Sequence, residues 1–274
     1  MLLELDLRAI KAIMALVKAK HRYDFENYAM SSIKRRIERI IDLKKIETLD
    51  KLLHSLEFDL EFFDYFVREI TVNTTEMFRD PAMWVVLNNE VIPNIKIINN
   101  LRIWHAGCST GEEVFSMAIL LQEAGLLEKS ILYATDLNTN VLASAKKGEL
   151  TIRNQELNTA NYERFKGKGK LADYYTVQDG KMIMNKDLMT NITFKKHDLV
   201  LDKSFLKFDL IFCRNVLIYF NMQLQDDVIG KFNDSLFKGG WLILGTKETM
   251  AFTKSAKKFN AVSTSERIYQ KTAI

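Results

Sequence analysis

The residues most able to do chemistry lie in the run WHAGCSTGEEVFSMA, Trp104 to Ala118. A hydrophobic stretch stops at Gly107 and Gly111, two acids follow at Glu112 and Glu113, and an apolar helical pattern then begins. A glycine turn between a strand and a helix lets a ligand approach the backbone closely, which in many folds means a nucleotide phosphate. This turn fits poorly with that use. The Gly-Lys-Ser/Thr of a P-loop does not follow, the full GxGxxG spacing is missing, and adjacent carboxylates disfavour a pyrophosphate. They favour a ligand that carries positive charge, and S-adenosylmethionine fits, with a sulfonium, an ammonium and no phosphate. The same acids also complement the helix dipole, and the two roles can coexist. Asp136 ends the next hydrophobic stretch, where an acid accepts ribose hydroxyls; that role serves NAD and S-adenosylmethionine equally.

Two further runs carry candidates. FDLIFCRNVLIYFN, Phe208 to Asn221, is an apolar strand ending in Arg214-Asn215. Asn215 presents both a donor and an acceptor to whatever occupies the crevice. Tyr219 reads either as a half-buried ring with a wet hydroxyl or as a substrate contact. TVNTTEMFRDP, Thr71 to Pro81, reads as a linker and helix cap that could also supply Asn73, Thr75 and Arg79 to a site.

These residues need elements to hold them. The first ~70 residues contain neither Gly nor Pro and repeat apolar residues at helical spacing. Within them, Ile33, Ile37, Ile40 and Ile41 form one apolar face. Arg35 and Arg39 lie on the opposite side, with Lys34 and Arg36 on the flanks. That basic face is either a solvated surface or a docking face for an acidic partner. From Leu101 the pattern alternates strand and helix. Strands are expected at Leu101–His105, Ile131–Thr135, Asn191–His197, Phe208–Cys213, Trp241–Gly245 and Arg267–Lys271. Helices are expected at Glu112–Glu123, Thr139–Lys147 and Met222–Phe237, and Lys238-Gly239-Gly240 is expected to be a turn. The alternation predicts a parallel sheet with helices on both faces. Residues ~160–190 break it with a basic loop, FKGKGK, and a hairpin turning at Asp179-Gly180, read as a small β insertion.

Composition limits the classes. At 274 residues, 47% hydrophobic and 27% charged, the chain is of ordinary globular type. Its apolar runs stay below the ~18 residues of a membrane span, so no membrane insertion is expected, and the N-terminal stretch reads as an amphipathic helix rather than a signal peptide. Cys108 and Cys213 sit in apolar contexts, as expected of reduced cytoplasmic thiols. No CxxC or His cluster points to a metal. A net charge of +4 makes a weak case for nucleic acid, and none is expected as a partner.

Taken together, NTTEMFRDP, AGCSTGEEVFSMA, ATDLN and FDLIFCRNVLIYF closely resemble the CheR-type chemotaxis receptor methyltransferases, and YDFENYAMSSIKRRI is similar to that family's N-terminal part. The resemblance runs in order over nearly the whole chain. It implies a Rossmann-like S-adenosylmethionine methyltransferase sheet with helices on both faces, a small β insertion and an all-helical N-terminal domain. The divisions would be 1–71 helical, 72–88 a linker contributing to the cofactor site, and 89–274 the methyltransferase domain. It implies a cytoplasmic protein-glutamate O-methyltransferase that converts S-adenosylmethionine to S-adenosylhomocysteine and acts on the cytoplasmic helical region of chemotaxis receptors.

Carried over by motif, Asn73, Thr75 and Arg79 would contact the cofactor from the linker. Gly107 would admit it, Glu113 would bind its ammonium and Asp136 its ribose. Asp198 and Leu199 would flank the adenine, and Asn215 and Val216 would hold the methionine part. Arg79 and Tyr219 would meet the substrate glutamate, and Arg35, Arg36 and Arg39 would dock the receptor. The chain departs from the pattern in FKGKGKLADYYTVQDGKMIMNKD, which is longer and more basic than in members that tether a receptor's C-terminal peptide by strand addition. That departure speaks against tethering here. Rival readings keep the cofactor but change the acceptor to another protein or a small molecule, or make the chain a non-catalytic S-adenosylmethionine sensor. A nicotinamide oxidoreductase is a more distant reading.

Overall fold

The computed structural model describes residues 5–71 and 74–272. It divides into two units. One comprises the residues up to 73 together with Ile218–Gln225, and the other comprises Thr74–Leu217 and Asp226–Ile274.

The smaller unit is built on four helices: α1 (Leu7–His21), α2 (Met30–Lys44), α3 (Leu49–Phe58) and α4 (Leu60–Thr71). Asp6 caps α1 by accepting from the Ala9 amide at 2.7 Å, and Thr48 caps α3 by accepting from Lys51. Each helix buries one stripe. In α2 it is Ile33, Ile37, Ile40 and Ile41, and in α4 it is Phe63, Phe66, Val67 and Ile70. α1 packs on α3, α3 on α4 and α4 on α2. Burying each such side chain is worth about 1.5–3 kcal/mol. Residues 218–225, the end of a 3-10 turn and the start of a helix, also belong to this unit. The Ala29 amide donates to the Tyr219 carbonyl at 2.8 Å, the Asn221 amide donates to Asn27 at 2.9 Å, and the Tyr28 and Phe220 rings meet edge to face. The expected division by sequence order therefore differs from the packing. Tyr219 belongs with the helices, and residues 74–88 belong with the sheet.

The larger unit opens with a short helix, α5 (Pro81–Val86), and a second, α6 (Ile92–Ile95). It then forms a seven-stranded sheet from β1 (Leu101–Ala106), β2 (Ser130–Asp136), β6 (Ile192–Lys196), β7 (Phe208–Cys213), β8 (Leu236–Leu244), β9 (Phe259–Ser263) and β10 (Ile268–Lys271), in the order β6-β2-β1-β7-β8-β10-β9. α7 (Glu112–Glu123) and α8 (Thr139–Lys147) follow β1 and β2, and α11 (Met222–Ser235) precedes β8. α7 is apolar nearly all round and is buried from Val114 to Leu121. Phe212, Ile243 and Ile103 fill the sheet core. Trp104 packs among Phe205, Phe208 and Phe232 and donates its indole N–H to Thr135 at 2.8 Å.

The sheet differs from expectation at one edge. β6, β2, β1, β7 and β8 are parallel, but β10 runs antiparallel to β8 and β9 antiparallel to β10. β9 is an edge strand whose residues Asn260 to Val262 are exposed, so it carries little apolar signal. Lys238-Gly239-Gly240 is not a turn. β8 starts at Leu236 and runs through it with an irregular register opposite Phe208 and Leu210. α11 ends at Ser235, two residues short of the expected limit, because Leu236 already pairs with Phe208.

The inserted sheet has three antiparallel strands, β3 (Glu149–Thr151), β4 (Tyr175–Gln178) and β5 (Lys181–Met184), in the order β3-β5-β4. Its hairpin turns at Asp179-Gly180. β3 lies ahead of the expected limits of the insertion, and a helix, α9 (Gln155–Phe165), intervenes before β4. A one-turn helix, α10 (Lys186–Met189), leads into β6. Among the described residues, no helix is long and apolar enough to cross a membrane.

Candidate functional site

The chain runs outward from β1 through β2 to β6 and then crosses back to β7 on the other side of β1, and a switch point of this kind leaves a crevice at the carboxyl ends of β1 and β7. The turn after β1 wraps over β2, with the Gly107 and Cys108 amides both donating to the Thr135 carbonyl, at 2.8 and 2.9 Å. Gly107 has φ +82°, and a Cβ there would lie 2.4 Å from Val216 Cγ2. Only glycine lets this turn and the loop after β7 approach so closely.

The two adjacent acids part company. Glu112 is buried, and its carboxylate accepts from the Thr110 hydroxyl at 2.6 Å; burial pushes its pKa up. Glu113 heads a charged network. One oxygen accepts from His105 Nδ1 at 2.9 Å and the other from Arg214 Nη1 at 3.1 Å. Arg214 Nη2 also donates to the Arg79 carbonyl at 2.9 Å and to Asp80 Oδ2 at 2.7 Å. His105 is fully buried and stacks on Phe212. Burial alone would raise the Glu113 pKa, but the His105 hydrogen bond and the Arg214 charge outweigh it and hold the carboxyl below its usual range. A fixed, ionised carboxylate results, with acceptor capacity left for a cation.

Asp136 ends β2. Its two oxygens accept from the Ser109 and Asn138 amides at 2.8 and 2.9 Å, which only partly offset the upward push of burial on its pKa. The His197 amide donates to the Asp136 carbonyl at 3.1 Å, so the ends of β2 and β6 lie side by side. Asp198 serves its own loop: Oδ1 accepts from Val200 at 2.7 Å and Leu201 at 3.3 Å. Its second oxygen has no hydrogen-bond partner among the described residues, and Leu199 is buried beside it. Asn215 has φ +60°, and its amide and that of Val216 donate to the Glu248 carboxylate at 3.0 and 2.9 Å.

The segment before α5 is fastened to the same unit. The Thr75 carbonyl accepts from Asn154, the Met77 amide and carbonyl bind Asn158 and Asn161 on α9, and the Phe78 amide donates to Ser116 on α7. Phe78 and Asp80 both take positive φ, +50° and +57°, held by these bonds and by Trp84 donating to the Arg79 carbonyl. The Arg79 side chain is about one-third exposed. It donates to the Thr74 carbonyl at 3.2 Å and lies 4.0 Å from Glu76.

Gly107, Glu113, Asp136, Asp198, Leu199, Asn215, Val216, Thr75 and Arg79 thus belong to one unit, on the loops at one end of its parallel strands and on the segment fastened beside them. Tyr219 and the α2 arginines belong to the helical unit, and Asn73 lies outside the described residues. Sequence reasoning assigned no role to His105, Arg214, Ser116 or Glu248. Apart from Gly245 beside Glu248 and Glu112 beside Ser116, their partners lie 8 to 135 positions away, with no local spacing to reveal them. The acceptor-rich lining at Glu113 and Asp136 and the close cradle at Gly107 suit S-adenosylmethionine. Glu113 and the Asn215–Val216 loop would hold its amino-acid end and Asp136 its ribose, and the cofactor would supply an electrophilic methyl group.

Comparison with known proteins agrees in order and extent. The CheR methyltransferase SAM-binding domain matches residues 73–268, and the CheR methyltransferase all-alpha domain matches residues 8–71. Cher3 of Pseudomonas putida is 40% identical over 263 residues, 96% of each chain. The chemotaxis protein methyltransferase of Listeria innocua is 35% identical over 236 residues, 85% of this chain and 87% of that one. That of Borreliella burgdorferi is 32% identical over 244 residues, 81% of each chain. With both family domains in succession and a crevice suited to the cofactor, the chain belongs to the CheR methyltransferase family and is a methyltransferase that uses S-adenosylmethionine.

Proposed function

We propose that this methyltransferase acts in the cytoplasm on glutamate side chains in the helical region of chemotaxis receptors, forming glutamyl methyl esters and S-adenosylhomocysteine. Several relatives bear the name chemotaxis protein methyltransferase, which supports a receptor as acceptor. The observation that carries the reading is the single guanidinium of Arg214, which holds both Glu113 and the Arg79 carbonyl. It ties the carboxylate assigned to the cofactor ammonium to the residue assigned to the substrate.

The chemistry asks little of the protein in proton transfer. A glutamate with pKa near 4.3 is ionised at neutral pH, so its oxygen attacks the methyl group without a general base. The enzyme must align oxygen, methyl and sulfur and exclude water, which can lower a barrier by roughly 7–11 kcal/mol in favourable systems. Arg79 orients the substrate carboxylate. It should not hold the ground state too tightly, since uniform binding does not raise turnover. Asn73 and Thr75 are assigned to the cofactor with Arg79. Incubating the protein with methyl-labelled S-adenosylmethionine and receptor-containing membranes tests the reading. Label in a receptor-sized band, released as methanol by mild alkali, supports it; alkali-stable label refutes the ester.

In the helical unit, Arg35 and Arg39 on α2 are exposed, while Arg36 is half-buried. Arg39 lies 3.5 Å from Glu69 and so is partly neutralised. Arg35 and Arg39 therefore carry most of the proposed docking to acidic receptor helices, and Arg36 less. Such complementarity acts mainly on encounter rate and is screened by salt. Changing Arg35 and Arg39 together to Glu is expected to slow methylation about tenfold or more at low salt and to flatten its salt dependence. An unchanged rate at low salt would remove the docking role.

A further inference from the structure

Two charged side chains outside every recognisable motif organise the loops at the two ends of the crevice. Glu248 is buried, three residues beyond Gly245. Its carboxylate accepts from three backbone amides: Val216 at 2.9 Å on one oxygen, and Asn215 at 3.0 Å and Gly245 at 2.6 Å on the other. Lys231, half-buried on α11, does the reverse. Its ammonium donates to three backbone carbonyls, Leu199 at 2.7 Å, Val200 at 2.9 Å and Asp202 at 2.9 Å. An ammonium donates up to three such bonds and a carboxylate accepts up to about four, and charge-assisted bonds are shorter and stronger than neutral ones.

We propose that Glu248 and Lys231 are positioning residues for S-adenosylmethionine. Glu248 fixes the loop that takes the methionine end, and Lys231 fixes the loop that takes the adenine end. This rests on the reading that Asn215–Val216 and Asp198–Leu199 hold those two ends. Both loops need an external partner. Asn215 sits at positive φ with its amide directed at Glu248, and the carbonyls of Leu199, Val200 and Asp202 converge on the Lys231 ammonium. Gly245 shows how tightly the Glu248 side closes. A Cβ there would lie 2.7 Å from Glu248 Oε2 and 2.9 Å from the Asn215 amide. Neither charged group has to touch the ligand; each sets where backbone and side-chain atoms of its loop stand.

The two assignments predict different losses for ligands with and without the amino-acid end. Glu248→Gln offers one oxygen and an amino group to three N–H donors, so the methionine loop shifts while the adenine loop stays. The affinity for S-adenosylhomocysteine, measured by calorimetry, is expected to fall tenfold or more. The affinity for 5′-methylthioadenosine, which lacks the amino-acid end, measured by competition, should fall less than about twofold. Lys231→Met should weaken both ligands by a similar factor of about five or more.

Folding is followed by tryptophan fluorescence, because Trp84, Trp104 and Trp241 all lie in the larger unit. If Glu248→Gln does not fold, Gly245→Ala disturbs the same contact and should give the same selective loss. Equal losses of both ligands in the Glu248 or Gly245 variant, or wild-type affinities in the folded variants, would overturn the positioning role. A wild-type protein that bound neither ligand would instead overturn the cofactor-site reading beneath it.

Discussion

Arg214→Met is expected to destabilise the larger unit by about 3–5 kcal/mol, the usual cost of removing one partner of a buried ion pair. The Arg214 side chain is only 2% exposed and holds Glu113, Asp80 and the Arg79 carbonyl together. Methionine fills much of the volume but leaves two carboxylates without their cation. For a domain of this size the loss corresponds to a fall of roughly 6–20 °C in the unfolding midpoint read from tryptophan fluorescence. The pH profile should change as well. The folded Glu113 pKa lies below its unfolded value, so its contribution to stability is fully present above the unfolded value and is lost as pH falls through the folded one. Without Arg214 that acid-side loss should shrink. A variant with wild-type midpoint and acid profile would show that the network is not stabilising.

Arg79→Ala is expected to lower turnover by roughly 10²–10³, the scale of losing one oriented donor near a reacting oxygen, and to shift the midpoint by no more than about 2 °C. The structural bonds at this position come from the backbone. The Arg79 carbonyl accepts from Trp84 and Arg214, and alanine keeps that carbonyl. The side chain, about one-third exposed, meets only the Thr74 carbonyl and, loosely, Glu76 among its described contacts. Arg79→Lys should recover only part of the rate, because an ammonium lacks the planar fork that pairs with a carboxylate. Initial rates of label transfer at saturating cofactor check both variants, and a near-normal rate in Arg79→Ala would remove it from the mechanism.

The sequence by itself determined the elements that carry strong periodicity and the residues whose type and local spacing hold meaning. Gly107 and Gly111 before the paired acids mark a turn that must stay open and acid-lined. Asp136 at the end of a hydrophobic stretch marks the carboxyl end of a strand. Ile33, Ile37, Ile40 and Ile41 mark the buried face of a basic helix. Each of these signals operates over a few residues, so it survives reading along the chain.

Only the tertiary structure decided what depends on contacts between distant positions. It turned Glu112 inward and left Glu113 as the fixed carboxylate, because Arg214, 101 residues away, reaches only one of the pair. It ran β8 through two glycines and reversed β10, since pairing with β7 and β9 is indifferent to local propensity. It gave residues 218–225 to the helical unit through backbone bonds that no side-chain pattern announces. It also recruited Glu248 and Lys231, ordinary charged residues in the sequence, to bond backbone amides and carbonyls of two loops.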